Sequence, residues 1–147
     1  MNSLSDLPDS ASLPESLRLL SLVWGLSSAL TRTSLAMEEK LGVTGLQRFL
    51  LRFVGLAPGI SCVRLAQVMT CEPADISADL ERLVAQNLLS GGAPGYYLTG
   101  QGAGVNSVMN GTVEQAVSKA LDDATPYERT SFRRMLERVI GHLRPTS

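Results

Sequence analysis

The chain has 147 residues, enough to bury one sizeable core in a single domain. Its 44% apolar and 18% charged content excludes a disordered chain, and a formal net charge of −1 lacks the basic excess of a general nucleic-acid binder. Two cysteines build no disulfide framework, Asp6, Pro8, Asp9 and Pro14 interrupt any secretory leader, and the most apolar run, Leu17 to Leu30, is too short and polar to cross a bilayer. These features predict a cytoplasmic protein with free thiols and no membrane partner.

Residues 1–14 are rich in Ser, Asp, Pro and Leu without period and read as a flexible N-terminal arm. From Glu15 to Leu41 apolar residues recur with helical spacing, including Leu19, Leu20, Val23, Trp24, Leu26, Leu30 and Leu35. Leu17 and Leu22 spill around the cylinder, so the helix is expected to be wetted on less than half its face, with a second surface such as a partner subunit to cover the rest. Gly42 closes it. Thr44 and Gln47 have the form of a capping box for a helix whose expected buried stripe is Leu46, Phe49, Leu50, Phe53, Val54 and Leu56. Pro58-Gly59 breaks that helix, and Ser61 caps a short one with Leu65, Ala66 and Val68 or Met69 inward. Pro73 suits the first turn of a fourth helix, with Ile76, Leu80 and Leu83 as its core stripe.

Leu88-Leu89 and Tyr96-Tyr97-Leu98 flank a Gly/Pro-rich turn and predict a small hairpin. After Gly100 and Gly102 comes a further helix with Val105, Val108, Met109, Thr112, Val113, Ala116, Val117 and Leu121. Thr125-Pro126-Tyr127-Glu128 then combines a cap residue, a first-turn proline and an acidic third position. Behind it, Phe132, Met135, Leu136, Val139, Ile140 and Leu143 alternate in threes and fours, the narrow seam of helix–helix association.

The run Leu65 to Leu89 resembles the helix-turn-helix of the multiple-antibiotic-resistance-regulator (MarR) family. Leu65-Ala66 open it, Met69 ends its first helix and Thr70-Cys71 make the turn. Ile76 and Leu80 pack the second helix, and Arg82-Leu83 and Leu88-Leu89 lead to the wing. Leu98-Thr99 followed by Gly102 resembles the family's exit from the wing, and the terminal helices match its dimerisation region. The resemblance implies a mainly α fold: a winged helix-turn-helix with a small β-hairpin wing and long terminal dimerisation helices. Residues 15–41 would be a dimerisation helix, 42–100 the winged helix-turn-helix and 101–147 the C-terminal helices completing the dimerisation region, one domain overall. It implies a homodimeric transcriptional regulator on double-stranded DNA, its second helix in the major groove. The interface would use Leu19, Leu20, Val23, Phe132, Met135, Leu136, Val139, Ile140 and Leu143.

The implied DNA-binding residues are Ser61, Arg64, Pro73, Ala74, Asp75, Ser77, Ala78 and Arg82, with Gly91, Gly92, Ala93, Pro94 and Gly95 forming the wing. The groove-facing five, Pro73, Ala74, Asp75, Ser77 and Ala78, include no base-reading Arg, Lys, Asn or Gln. Between Ser61 and Thr99, Arg64 and Arg82 face Glu72, Asp75, Asp79 and Glu81, and the wing carries no charge. Few phosphates could be neutralised, even with Arg48 or Arg52 added. Two readings stay open: a DNA-binding regulator, or a degenerate winged-helix protein acting through protein–protein contacts.

Small aromatic anions bind this family between the dimer helices and the winged domain, and Trp24, Arg32 and Phe53 are of the right type for such a pocket. Cys71, ahead of the second helix, could be a thiol sensor or a half-buried turn residue whose pKa Glu72 raises. His142 and two distant cysteines have no zinc spacing, and no cofactor is implied. The Gly-rich turn at Ser90 has no lysine and opens no helix, and there is neither a nucleophile–base pair nor a carboxylate dyad, so no enzyme is expected.

Overall fold

The structure is a computed structural model that describes residues 13–109 and 112–144. The expected arm, residues 1–14, lies outside them except for its last two positions. Seven helical stretches and one hairpin follow in order: α1 (Glu15–Leu41), α2 (Gly45–Leu56), α3 (Cys62–Val68), α4 (Pro73–Ala85), β1 (Leu89–Gly92), β2 (Gly95–Leu98), α5 (Gly100–Met109), α6 (Thr112–Ala120) and α7 (Pro126–Leu143). The helix expected after Gly102 and up to Leu121 is described as α5 and α6, on either side of 110–111, with α5 already starting at Gly100.

Local sequence sets most boundaries. Gly42 ends α1 in the left-handed region (φ 70°) and donates its N–H to Glu38 O. Thr44 Oγ1 accepts from Gln47 N at 3.1 Å while Gln47 Oε1 accepts from Thr44 N at 3.2 Å. Ser61 Oγ accepts from Arg64 N at 3.1 Å at the head of α3. At α7, Thr125 and Glu128 exchange the same reciprocal pair at 3.1 and 3.0 Å.

One core joins α2, α3, α4 and the hairpin. Leu50, Leu51 and Val54 from α2, Leu65 and Ala66 from α3, and Ile76, Leu80 and Leu83 from α4 are buried in it with Leu88, Leu89 and Tyr96. The stripe of α2 is phased differently from the sequence expectation. Leu51 is fully buried, whereas Phe49 and Leu56 are exposed. The reason is geometric: positions 47, 50, 51 and 54 share one face at 3.6 residues per turn, and 49 and 56 flank it. On α3 the choice between Val68 and Met69 falls to Met69, which packs against the core while Val68 is exposed.

The terminal helices are different. Leu19, Leu20, Val23 and Trp24 of α1 are exposed, and so are Phe132, Met135, Leu136, Val139 and Leu143 of α7, which buries no residue. The expectation that α1 is wetted on less than half its face is therefore corrected for the protomer. It packs on α2 and α6 only locally, and it reaches the core at its C-terminal residue, Leu41. No helix among the described residues is long and apolar enough to cross a membrane.

Candidate nucleic-acid interface

A bihelical corner is built from α3, a turn and α4. The turn needs Thr70 in the left-handed region (φ 55°), and Cys71 N donates to Ala66 O at 2.9 Å to close it. The apolar stripe Ile76, Leu80 and Leu83 points α4 into the core, leaving Ala74, Asp75, Ser77, Ala78 and Arg82 on the opposite, exposed face. Pro73 is half-buried at the first position of α4, where its missing N–H has no partner to lose. Arg64 is exposed on α3, its Nη1 donating to Gln67 Oε1 at 3.2 Å.

Beside α4 the wing folds as an antiparallel pair with Leu89 opposite Leu98 and Gly92 opposite Gly95. The strands run further into the glycine-rich stretch than its composition suggests, leaving Ala93-Pro94 as the connection. Gly91 has φ 98°, and a side chain there would run into the Gly95 carbonyl. The segment before α3 joins the hairpin: Gly59 N donates to Tyr96 O at 2.7 Å, Tyr96 N to Ile60 O at 2.9 Å and Cys62 N to Ala93 O at 2.9 Å. The exit is tied by Thr99, whose hydroxyl donates to Asn87 O at 2.6 Å and accepts from Gly102 N at 2.9 Å. Gly102 lies so close to the Leu88 carbonyl that a Cβ would collide with it.

The electrostatics of this face are set by how its acids are used. Asp75 turns its carboxylate back onto Glu72 N at 2.9 Å, closing the first turn of α4. Asp79 is held from behind by Gln47 Nε2 at 3.2 Å. Two of the four acids between Ser61 and Thr99 are thereby engaged within the protein. Two arginines considered as phosphate contacts are corrected. Arg48 is 8% exposed and faces inward, and Arg52 Nε is paired with Glu114 Oε1 of α6 at 2.9 Å. Arg64 and Arg82 remain as the exposed cations of α3 and α4 themselves.

Of the residues expected to line an effector pocket, Phe53 packs against the core, while Trp24 and Arg32 lie eight residues apart on α1, roughly 12 Å along its axis. Trp24 is 67% exposed, so the protomer alone does not enclose it. A shallow cavity of about 240 Å³ lies elsewhere, between Thr70–Asp75 of the corner and Ile140, Leu143 and Arg144 at the end of α7. Sequence periodicity gave no sign of it, because it joins residues some seventy positions apart. Cys71 lines it. Burial pushes its thiol above the ordinary value of 9.0, Asp75 and Glu72 push the same way, and Arg144 offsets only part of this. The sensor reading of Cys71 is disfavoured accordingly, since a reactive thiol needs the opposite shift.

No protein-family model matches the chain, and no curated protein sequence does. Solved structures do. A MarR family protein of Mycobacterium tuberculosis matches at 22% identity over 89% of this chain and 98% of its own, with a TM-score of 0.59. A MarR family transcriptional regulator of Silicibacter pomeroyi matches at 18% identity over 99% of both chains, with a TM-score of 0.64. MepR of S. aureus, solved in complex with DNA, matches at 14% identity over 84% of this chain and 94% of its own, with a TM-score of 0.69. The architecture is thus a mainly α winged helix-turn-helix with a two-stranded wing. It is the MarR-type arrangement of that fold, in which long helices flank the winged unit on both sides.

Proposed function

We propose that the protein is a cytoplasmic, homodimeric transcriptional regulator that binds double-stranded DNA through α4 and the wing. The observation that carries this reading is the braced α4: one face is locked into the core by Ile76, Leu80 and Leu83, and the other is bare along its length beside the hairpin. A helix presented in this way fits the major groove, whose width admits one helix. The fold neighbours support it, since the M. tuberculosis protein is also described in complex with DNA and MepR was solved on DNA. No catalytic role is proposed.

The apolar seams of α1 and α7 support the dimer. Burying exposed apolar surface is worth about 25 cal/mol per Å², and Leu19, Leu20, Val23, Phe132, Met135, Leu136, Val139, Ile140 and Leu143 supply such surface on the first and last helices of one chain. Two-fold pairing sets two copies of α4 for successive turns of a pseudo-palindromic site. Contact with phosphates falls to Arg64, Arg82 and the Ser61 hydroxyl, and contact with bases to Pro73, Ala74, Asp75, Ser77 and Ala78. With no long polar side chain among these five, recognition rests on groove shape and on apolar contact with thymine methyls. The wing residues Gly91, Gly92, Ala93, Pro94 and Gly95 approach the backbone closely without a minor-groove arginine.

The M. tuberculosis neighbour is also described in complex with salicylic acid. By extension, a small aromatic effector is proposed here, with Trp24, Arg32 and Phe53 closed into a pocket by the second protomer. The acidic balance of the helix-turn-helix favours a second reading, in which the same face contacts another protein. Selection of bound duplexes from a random pool at low salt separates the two. Enrichment of an inverted repeat with half-sites one helical turn apart is the expected result, and an unenriched pool overturns the DNA reading in favour of the protein-contact one.

A further inference from the structure

Glu72 and Asp75 are exposed at the head of α4, the end that a helix-turn-helix turns toward base edges. The hydrogen bond from Glu72 N redirects the Asp75 carboxylate without removing its charge. Two negative charges therefore face a duplex that itself carries one about every 1.7 Å of its axis. Arg64 and Arg82 do not line this corner, but a cation of α7 does. Leu143 and Arg144 share a shallow cavity with Cys71, Glu72 and Asp75. Arg144 N donates to Ile140 O at 3.1 Å, which fixes its backbone at the end of the helix. Its side chain is exposed, and no ion pair among the described residues takes up its guanidinium. The Cys71 thiol reports the same arrangement: burial pushes it up most, Asp75 next, and Arg144 is the one group that pulls it down. More widely, Arg129, Arg133, Arg134, Arg138 and Arg144 outnumber Glu128 and Glu137, so cations scarce on the winged unit are gathered on the helix that ends beside it.

We propose that Arg144 belongs to the DNA interface as a positioning residue: the end of α7 holds its guanidinium against the head of α4, where it cancels charge that Glu72 and Asp75 would otherwise turn on the duplex. This role rests on the regulator reading. Arg144 faces carboxylates and acts through them, not as a phosphate contact of its own. With it in place the cavity lining carries one net negative charge in place of two. The winged unit therefore depends on α7 for its electrostatics as well as for the seam, although α7 buries no residue in the core.

The test uses the full chain and a labelled random-sequence duplex at low salt, followed by fluorescence anisotropy. Arg144→Gln should weaken binding roughly two- to fivefold, the range of an exposed charge pair, and Arg144→Lys should bind as the native chain does. In a chain that already carries Glu72→Gln and Asp75→Asn, Arg144→Gln should have almost no effect, because no charge is left for it to cancel. Alkylation of Cys71 against pH gives a readout without DNA, in which Arg144→Gln should move the inflection further up. An unchanged inflection overturns the proposal, because Arg144 would then not face the corner. An equal loss of affinity in both backgrounds also overturns it, since Arg144 would then touch phosphate directly. Duplex binding that is indifferent to Arg144→Gln removes this role and leaves the regulator reading standing. A native chain that binds no duplex at low salt overturns both.

Discussion

Gln47 and Asp79 tie α2 to α4: Gln47 Nε2 donates to Asp79 Oδ1 at 3.2 Å, while Gln47 Oε1 accepts from Thr44 N at the head of its own helix. One buried side chain, 2% exposed, thus starts α2 and holds the back of the candidate recognition helix. Gln47→Leu loses both bonds and strands the Thr44 N–H. The expected cost is roughly 1–3 kcal/mol, at about 2–4 °C of Tm per kcal/mol for a chain of this size. Gln47→Glu keeps the cap acceptor but sets a second carboxylate against Asp79. Its deficit should therefore be largest at neutral pH and shrink in acid, as thermal unfolding over pH will show.

Glu128 gives a pH dependence with a defined sign. The Thr125 N–H and the Thr125 side chain hold its carboxyl below the ordinary value of 4.5, with a small opposing effect of desolvation. A lowered folded-state pKa means that the stabilisation is complete above the ordinary value and is lost as pH falls through the lowered one. Glu128→Gln keeps an acceptor at the cap but cannot titrate. Comparison of the two chains' Tm on the acid side should show the native protein losing this increment and the variant not.

Much of this was legible locally. The Thr44–Gln47 and Thr125–Glu128 boxes, the Ser61 cap and the Pro73 start depend on residues at most three apart, so spacing alone identifies them. The stripe Ile76, Leu80 and Leu83 was legible for the same reason. What escaped depends on the third dimension. Phe49 and Leu56 are as apolar as Leu51, and only the neighbours of α2 decide which of them is covered. The burial of Arg48 runs against the rule that arginines stay wet. The Arg52–Glu114 bridge spans sixty-two positions, and no local pattern announces it. At the candidate interface, the sequence exposes the lack of a cation among Pro73, Ala74, Asp75, Ser77 and Ala78 of α4, but not that Asp75 and Asp79 are turned to structural bonds.

Cys71 should behave as a protected thiol. Its raised pKa keeps it protonated at neutral pH, so alkylation by iodoacetamide should be slower than that of free cysteine, with the pH–rate inflection above 9.0. Asp75→Asn removes the second-largest cause of the shift and should lower the inflection. An inflection below the ordinary value in the native chain would instead indicate an activated thiol.

The dimer is tested on α7. Leu136→Asp with Ile140→Asp places two charges in the seam and should give a monomer by light scattering, with the far-ultraviolet signal of the winged unit retained. That separation is expected because α7 contributes no buried residue to the core. A double variant that scatters as the native species does would remove the seam from the interface.

The salt dependence of DNA affinity tests the central claim most directly. Each phosphate neutralised on duplex DNA contributes about −0.9 to the slope of log K against log salt. Arg64 and Arg82 from each of two protomers therefore predict a slope of about −4 or shallower, measured by fluorescence anisotropy on the selected duplex. Ala78→Arg should steepen the slope by about one for each added phosphate contact and tighten binding at low salt. A native slope near zero with no response to Ala78→Arg would contradict the account, because it would mean that the exposed face of α4 does not lie against DNA.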